Sequence, residues 1–237
     1  MQGIRDKVAI ITGAAGNLGQ AVAAAFAARG ARLALVDLDA GALEATRKEL
    51  PAQSEAAVFP ADLIKPSSVA EMVERVSAHF GRIDILANIA GGFTMGPPVH
   101  ETEDRDWDFM LDLNARTAFN TCRAVVPHLL SGAGGRIINV SARAATQGKA
   151  RMAPYCVSKA AVITLTESLA AEHKHDGINV NCILPGTVDT PQNRAAMPGQ
   201  DFDKWVPPAA LADVILFLAS DAARCVTGAA VPVYGQS

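Results

Sequence analysis

Short runs of β-branched and other apolar residues alternate along the chain with longer, alanine-rich stretches of helical periodicity. The apolar runs predict strands over 7–12, 31–37, 56–60, 82–88, 135–141, 177–184 and 229–234. The stretches between them predict helices over 17–29, 39–50, 66–80, 103–131, 153–175 and 208–220. Strands that are apolar on both faces and alternate with helices are typical of a parallel sheet covered on both sides. The pattern predicts an α/β fold, a single doubly wound parallel sheet with helices on both faces.

The segment 186–207 departs from this alternation, because it is rich in proline, glycine and polar residues. Its length suggests a binding loop or lid rather than a boundary between domains. The chain has 237 residues, half of them hydrophobic, which is enough for one well-buried α/β unit. We therefore expect residues 1–237 to form one domain, with a binding loop or lid at 186–207 inside it.

Composition excludes several classes of function. The net charge is −3 with acids and bases mixed along the chain, so nucleic acid is not expected as a partner. The histidines and the scattered cysteines have no metal-ligand spacing, and no metal is expected. The apolar run 7–12 is too short to cross a bilayer, and no secretory leader is recognisable. We expect a cytoplasmic protein with reduced thiols that does not bind membranes.

A glycine-rich turn, ITGAAGNLG (11–19), joins the first predicted strand to the first helix. Gly13, Gly16 and Gly19 are spaced so that backbone N–H groups can approach a pyrophosphate at the helix N-terminus. Ordinary loops also produce glycine triplets, but the strand before and the helix after favour a dinucleotide site. We expect Asn17 and Leu18, inside the same turn, to contact the cofactor as well.

Asp37, at the end of the second strand, lies eighteen residues beyond Gly19. A carboxylate there accepts hydrogen bonds from the adenosine ribose and repels a 2′-phosphate. Asp39 adds to that repulsion, and no arginine occurs in the turn. These residues favour NAD(H) over NADP(H). The alternative is that Asp37 only caps the next helix.

Two further segments follow strands and are candidate cofactor contacts. Asp62 and Leu63, after the third strand, would lie near the adenine, although Asp62 could equally be an acid at a helix start. Asn88, Ala90 and Gly91, after the fourth strand, include small residues that let the backbone approach a cofactor. A simple turn would use the same residues.

Tyr155 and Lys159 lie four residues apart in the run PYCVSKAAV, and so share one face of a helix. An ammonium beside a phenol favours the phenolate and lowers the pKa of the phenol. Bringing a tyrosine from pKa ~10 to ~7 needs roughly 4 kcal/mol, which a lysine and a cationic nicotinamide together can supply. The alternative is a pair exposed at the surface.

Taken together, these residues resemble the short-chain dehydrogenase/reductase family over essentially the whole chain. The matching positions are Thr12, Gly13, Gly19, Asp37, Asp62, Asn88, Gly91, Asn114, Tyr155, Lys159, Pro185, Gly186 and Thr190. The resemblance implies a Rossmann domain that transfers hydride between a nicotinamide, here NAD, and a substrate carbon.

The same resemblance implies roles for individual residues. Tyr155 is expected to be the general acid/base, Lys159 to bind the nicotinamide ribose and tune Tyr155, and Asn114 to hold a water in a proton relay. The loop that contains Pro185, Val188 and Thr190 is expected to contact the nicotinamide carboxamide. Related enzymes often form tetramers through the helices at 107–129 and 155–169, so a homo-oligomer, tetramer or dimer, is expected.

The sequence departs from the usual family pattern at two positions. Asn17 replaces a glycine, and Ala142 replaces the serine found thirteen residues before the tyrosine. Ser141 is one residue away, and neighbouring side chains in a strand face opposite ways. We take Ser141 as a candidate substrate contact on the condition that a bend re-aims it.

Phe93 and Arg194 are the other candidate substrate contacts. Phe93 would line the pocket, although core packing would explain it as well. Arg194 would meet a substrate anion or pair with Asp201 or Asp203.

Both departures resemble one branch, the quinonoid dihydropteridine reductases, and the stretches 90–93 and 189–205 resemble that branch too. The leading hypothesis is an NAD(H)-dependent oxidoreductase of small carbonyl or alcohol compounds. One alternative is quinonoid dihydropteridine reductase-like activity. Another is an NAD-binding sensor or scaffold that has lost turnover, which Ala142 favours slightly.

Overall fold

The computed structural model describes residues 3–236, and in that range all seven strands join one parallel sheet in the order β3-β2-β1-β4-β5-β6-β7. The strands are β1 Val8–Thr12, β2 Arg32–Val36, β3 Ala56–Val58, β4 Ile85–Asn88, β5 Gly135–Val140, β6 Ile178–Pro185 and β7 Ala230–Val233. Strand β3 is shorter than the sequence predicts, and the others lie within the predicted ranges apart from the last residue of β6. The predicted fold class, a doubly wound parallel sheet, is confirmed.

Helices cover both faces of the sheet. Their bounds are α1 Asn17–Ala27, α2 Ala40–Glu49, α3 Pro66–Phe80, α4 Asp104–Leu111, α5 Thr117–Ser131, α6 Ala153–Glu172, α7 Pro191–Ala196 and α8 Pro208–Ala219. On one face α1, α2 and α8 bury residues such as Phe26, Leu43 and Leu211. On the other, α3, α5 and α6 bury residues such as Val73, Val125 and Leu169. Two apolar cores thus enclose the sheet.

The strand order places a crevice at the carboxyl ends of β1 and β4, because the chain winds outward from these two neighbours in opposite directions. Thr12, the last residue of β1, is in register with Asn88, the last residue of β4. Asn88 is in turn in register with Asn139 of β5. The three strands end nearly level, and the loops after them therefore meet at one edge of the sheet.

The helix predicted over 103–131 is interrupted. A π-helical turn, Asp112–Arg116, separates α4 from α5. Asn114 lies in that turn, and its side chain leaves the helix to bond the backbone of Gly92. A π turn widens the helix by one residue and is frequent at functional sites. A tertiary contact thus overrides the local helical pattern.

The segment 186–207 is more ordered than the predicted loop. It contains α7, which begins at Pro191 and is capped by the Thr190 hydroxyl, and a 3₁₀ turn at Phe202–Lys204. Val188 and Val206 form a β-bridge that closes the base of the segment. Trp205 is buried beneath it, and its ring lies 4.7 Å from that of Phe202, tilted by 59°. These two aromatic residues therefore anchor the segment to the core.

Candidate active site

The glycine turn after β1 is packed so tightly that two of its glycines are required by sterics. Gly13 has a φ of 63°, and a Cβ on it would lie 2.8 Å from the backbone N of Ala90. A Cβ on Gly19 would lie 2.1 Å from the carbonyl oxygen of Gly13. Both clashes are with backbone atoms, which cannot move away by a change of side-chain rotamer. The turn therefore brings β1, α1 and the loop after β4 into direct contact.

Gly16 is different, because within the protein a Cβ on it would meet only the Gly13 carbonyl, at 3.4 Å. Gly16 is the N-cap of α1 and supplies no side-chain bond to the helix, and the first turn of α1 carries no acidic residue. The first N–H groups of a helix lack intrahelical partners and attract anions. The space over Gly16 and the N-terminus of α1 thus fits the pyrophosphate of a dinucleotide.

Asp37 joins the glycine turn to the end of β2. Its carboxylate accepts one N–H from Ala15, at 3.2 Å, and another from Leu38, at 2.7 Å. The N-cap of α2 is instead Asp39, which accepts from Gly41 and Ala42. Asp37 is therefore not a helix cap, and its partly exposed carboxylate lies beside the turn, where the sequence predicts the adenosine ribose.

Thr12 and Asn88 fix the loop after β4, and both are buried. The Thr12 hydroxyl accepts from the N–H groups of Ile89 and Ala90, at 3.0 and 3.1 Å. The Asn88 amide donates to Asn139, and its oxygen accepts from Thr121. The Asn88 side chain is thus used inside the protein, whereas the backbone of Ala90 and Gly91 lies at the mouth of the crevice.

The loop after β3 is held by its own contacts. Asp62 pairs with Lys65 at 2.9 Å and accepts from the N–H of Ile64. The hydrogen bond from Lys65 lowers the pKa of the Asp62 carboxyl. Asn120 donates to the carbonyls of Leu63 and Ile64. Asp62 keeps a partly exposed carboxylate at the rim, and nearby Leu63 is buried.

Tyr155 lies on the first turn of α6 and is half-buried against the loop after β4. The Phe93 ring meets it edge to face, with centroids 4.9 Å apart. Ser158 accepts from the Asn114 amide at 3.1 Å and donates to the Tyr155 carbonyl at 2.8 Å. Asn114 also exchanges two hydrogen bonds with the backbone of Gly92. The loop, the π turn and α6 are therefore locked together around the phenol.

Lys159 is buried one turn further along α6, and its Nζ donates to the Val140 carbonyl at 3.0 Å. Burial lowers the pKa of Lys159 to about 8. A Cβ on Gly91 would lie 3.0 Å from this Nζ and 2.7 Å from Oδ1 of Asn114. Glycine at position 91 thus allows Lys159 and Asn114 to approach the loop together.

The sequence predicts that Lys159, together with a cationic nicotinamide, lowers the pKa of Tyr155. The groups of the protein alone raise this pKa instead. Loss of hydration raises the pKa of Tyr155 to about 12, with a smaller contribution in the same direction from Cys156. Burial of the phenol in the protein disfavours its charged form. The phenol is therefore protonated at neutral pH, as a proton donor must be.

The predicted substrate contact from Ser141 is also corrected. Ser141 is buried, and its hydroxyl donates to the Lys159 carbonyl at 2.7 Å. The extended backbone at the end of β5 turns this side chain toward α6, so no bend re-aims it. Ala142, at the position of the missing serine, is buried as well. Ser141 thus holds α6 against the sheet.

The predicted contacts in the lid segment have protein partners. Arg194 forms a bidentate pair with Asp189, at 2.5 and 2.7 Å, rather than with Asp201 or Asp203. Its bond to Asp189 raises the pKa of Arg194. Its guanidinium also lies over the Phe202 ring. These contacts of Arg194 therefore stabilise the segment, and none of them turns the guanidinium toward the crevice.

Asn17 links the glycine turn to α7. Its amide donates to Oε1 of Gln192 at 2.8 Å. Leu18 is partly buried against the core behind the turn. Pro185 ends β6, the Val188 carbonyl accepts from Asn193, and the Thr190 hydroxyl accepts from the Asn193 N–H. The predicted cofactor loop thus stands directly across the crevice from the predicted pyrophosphate turn.

Sequence reasoning missed a chain of buried polar side chains beneath the site. It consists of Thr121, Asn88, Asn139 and Thr166, with Cys122 alongside. The feature of the sequence that could have identified these residues is the presence of polar residues inside otherwise apolar elements, such as Asn139 in GRIINVS. Periodicity alone does not show which of these residues meet.

Within residues 3–236 no three His, Cys, Asp or Glu side chains are grouped closely enough to hold a metal ion. The same part of the chain contains no helix long and apolar enough to cross a membrane.

Comparison with known proteins identifies the class. A family model described as short chain dehydrogenase matches residues 7–201. The chain belongs to the short-chain dehydrogenase family and is an oxidoreductase of that family. This confirms the family predicted from the glycine turn and the Tyr155–Lys159 pair.

Similar proteins cover nearly the whole chain. D-threitol dehydrogenase of Mycolicibacterium smegmatis is 38% identical over 239 residues, covering 97% of this chain and 92% of that protein. NAD-dependent glycerol dehydrogenase of Listeria innocua is 32% identical over 234 residues, covering 95% and 91%. The crystal structure of levodione reductase has a TM-score of 0.92 at 27% identity, covering 98% and 97%. The predicted likeness to quinonoid dihydropteridine reductases is not confirmed.

The packing of the turn predicts that alanine substitutions at two of its glycines have different effects on stability. Gly19→Ala should lower the free energy of unfolding by about 2 kcal/mol or more, because its Cβ meets backbone. Gly16→Ala should cost less, about 1 kcal/mol or below, because its Cβ has room and only the poorer N-cap preference of alanine remains. Chemical denaturation of the two variants without added cofactor measures both. Equal losses would contradict the packing described here.

The buried ammonium predicts a pH-dependent stability. The pKa of Lys159 falls from 10.5 in the unfolded chain to about 8, so the cost of burying its charge is fully present below pH 8. Between these values the unfolded chain binds more protons, and stability rises with pH. Relative to Lys159→Met, the wild type should gain about 2 kcal/mol from pH 8 to 10.

Chemical denaturation at a series of pH values, without added cofactor, measures this difference. Lys48→Met, which removes an exposed lysine of α2, is the control and should show no comparable change. A difference between wild type and Lys159→Met that does not vary with pH would show that the ammonium is hydrated in the folded protein.

Proposed function

We propose that the protein is an NAD(H)-dependent oxidoreductase that transfers hydride between nicotinamide C4 and a small carbonyl or alcohol compound. The observation that carries this proposal is the convergence of Tyr155, Lys159 and Asn114 on the loop after β4, beside the glycine turn. The family and the near-complete coverage by dehydrogenases support it. The intact Tyr155 and Lys159 argue against a scaffold without turnover.

The cofactor supplies the hydride chemistry, and the protein supplies positioning and a proton. In carbonyl reduction Tyr155, protonated at neutral pH, donates its phenolic proton to the substrate oxygen as a general acid. In alcohol oxidation the same phenol must first lose its proton. Lys159 places a positive charge one turn away, where it lowers the cost of that loss and can bind the nicotinamide ribose. Asn114, fixed by Gly92 and Ser158, would hold the water of the proton relay.

The choice of NAD(H) rests on Asp37. Its carboxylate lies at the end of β2 and is bonded to the N–H of Ala15, which keeps it beside the adenosine end of the crevice. A 2′-phosphate there would meet this negative charge and that of Asp39. The similar glycerol dehydrogenase is named as NAD-dependent, which agrees with this choice.

We further propose that the protein works in the cytoplasm as a homo-oligomer. All four cysteines are free thiols. Large apolar side chains on α4, α5 and α6 remain partly exposed in the single chain: Trp107, Phe109, Phe119 and Val157. Pairing of these helices with a second copy would cover them.

Replacing the phenol tests the proposed proton donor. Tyr155→Phe should lower turnover in NADH-dependent carbonyl reduction at least about a hundredfold, because general acid catalysis is lost. Affinity for NADH, measured by calorimetry, should change little, because the ring and its contact with Phe93 remain. Unchanged turnover across a panel of aldehydes and ketones would exclude Tyr155 as the proton donor.

Removing one negative charge tests cofactor choice. Wild-type protein should bind NADH far more tightly than NADPH, and Asp37→Asn should narrow that difference by about tenfold, because repulsion of the 2′-phosphate falls. Asparagine keeps an acceptor for the turn. Asp39→Asn, which makes the same charge change and preserves a helix cap, is the control and should narrow the difference less. Equal affinity of the wild type for both cofactors would refute the assignment.

A further inference from the structure

The loop after β4 exposes large apolar side chains next to the phenol. Phe93 is 49% exposed and Met95 is 61% exposed. The same loop has no charged residue from Ile89 to Val99. Single exposed apolar side chains are common on protein surfaces, but an aromatic ring that contacts a candidate catalytic residue lies where a ligand has to bind. The exposed surface of Phe93 is therefore a candidate wall of the substrate site.

Phe93 contacts the ring that carries the hydroxyl of Tyr155. The two rings meet edge to face, with centroids 4.9 Å apart and planes inclined by 80°. Within residues 3–236 Phe93 has no second ring partner, and no cation lies over its face. Because the hydroxyl belongs to the ring that Phe93 contacts, a carbonyl bound there lies close enough for its neighbouring groups to reach Phe93.

The loop is tethered on both sides of Phe93. On one side Gly92 exchanges two hydrogen bonds with the Asn114 side chain, at 3.0 and 3.1 Å. On the other side the Gly96 N–H donates to the Arg151 carbonyl at 2.9 Å, and Nε of Arg151 donates to the Gly96 carbonyl at 3.1 Å. A side chain between two such tethers loses little freedom when a ligand covers it, which favours binding.

The charged groups around this loop make their contacts elsewhere. Nε of Arg151 is bonded to the opposite loop, and Nζ of Lys159 donates to the Val140 carbonyl. Asp104 lines a cavity that Phe93 does not border. The surface that Phe93 presents is therefore apolar, and it favours an apolar group of the ligand over a polar or charged one.

We propose that Phe93 contacts the substrate, and that the substrate carries a bulky apolar group, cyclic or aromatic, attached to its reacting carbon directly or through one methylene. Covering about 50 Å² of apolar surface strengthens binding about tenfold. An aromatic group gains further from an edge-to-face or offset contact with the ring. This inference rests on the proposed function and names the substrate class of the same site. Phe93 determines specificity and takes no part in proton transfer.

A series of methyl ketones tests the proposal. Acetone, cyclohexyl methyl ketone and phenylacetone differ in the size of the apolar group, and hydroxyacetone carries a polar one. In NADH-dependent reduction, kcat/KM for at least one cyclic ketone should exceed that for acetone about tenfold or more. Phe93→Ala should lower this ratio about fivefold or more, and Phe93→Leu should keep part of it. Comparing the same ketones in each variant cancels their intrinsic reactivity.

Leu130→Ala, which removes an exposed apolar side chain of α5, is the control and should leave the ratio unchanged. The proposal is overturned if the ratio persists in Phe93→Ala. It is also overturned if kcat/KM for acetone falls as much as that for the cyclic ketones, because Phe93 would then only support Tyr155. A change of oligomeric state in Phe93→Ala by light scattering, with an unchanged ratio, would make the ring a subunit contact and overturn it as well.

Amides, which keep a carbonyl but are not reduced, separate this inference from the proposed function. Cyclohexanecarboxamide should bind the enzyme–NADH complex about tenfold more tightly than acetamide, and Phe93→Ala should remove most of the difference, measured by the fluorescence of bound NADH. This result without NADH oxidation by any carbonyl would overturn the proposed function alone. Reduction of acetone and hydroxyacetone as fast as the cyclic ketones, lost in Tyr155→Phe, would overturn this inference alone.

Discussion

The site depends on the hydrogen bonds that hold α6 against the end of β5. Lys159 Nζ donates to the Val140 carbonyl, the Ser141 hydroxyl donates to the Lys159 carbonyl, and Asn139 donates to Thr166. All three bonds involve buried side chains, and a buried polar group without a partner costs about 1–3 kcal/mol. Together the three bonds fix the register of α6 against β5. Since Tyr155 lies one turn before Lys159, the same bonds place the phenol.

Burial shifts the pKa of both members of the Tyr155–Lys159 pair. The pKa of Lys159 falls to about 8 and that of Tyr155 rises to about 12, so each group is moved toward its neutral form. In the proposed reaction, charge that arrives with a ligand therefore decides when the phenol can ionise. The raised pKa agrees with a Tyr155 phenol that donates a proton at neutral pH. The phenolate, which accepts a proton, then forms only when further positive charge lies nearby.

Much of the fold was predictable from sequence because its causes are local. Strands apolar on both faces pack in a sheet that is covered on both sides, and Gly19 is fixed by the Gly13 carbonyl within its own turn. Prediction was wrong where the cause is a contact between distant residues. The π turn at Asn114 exists because of Gly92, and the pKa of Tyr155 depends on how deeply it is buried. Arg194 pairs with Asp189, five residues earlier, because α7 begins between them at the Thr190 cap.

The two departures from the usual family pattern have different physical consequences. Asn17 stands at the first position of α1, and its side-chain amide donates to Gln192, so a residue of the glycine turn contacts α7. Ala142 brings no hydroxyl to its position, and the neighbouring Ser141 is already bonded to α6. In the proposed reaction, negative charge that develops on the substrate oxygen then relies on Tyr155 and on the positive charge of Lys159. Such donors can be worth a few kcal/mol, so a site that lacks one gains from a substrate held firmly at a second point.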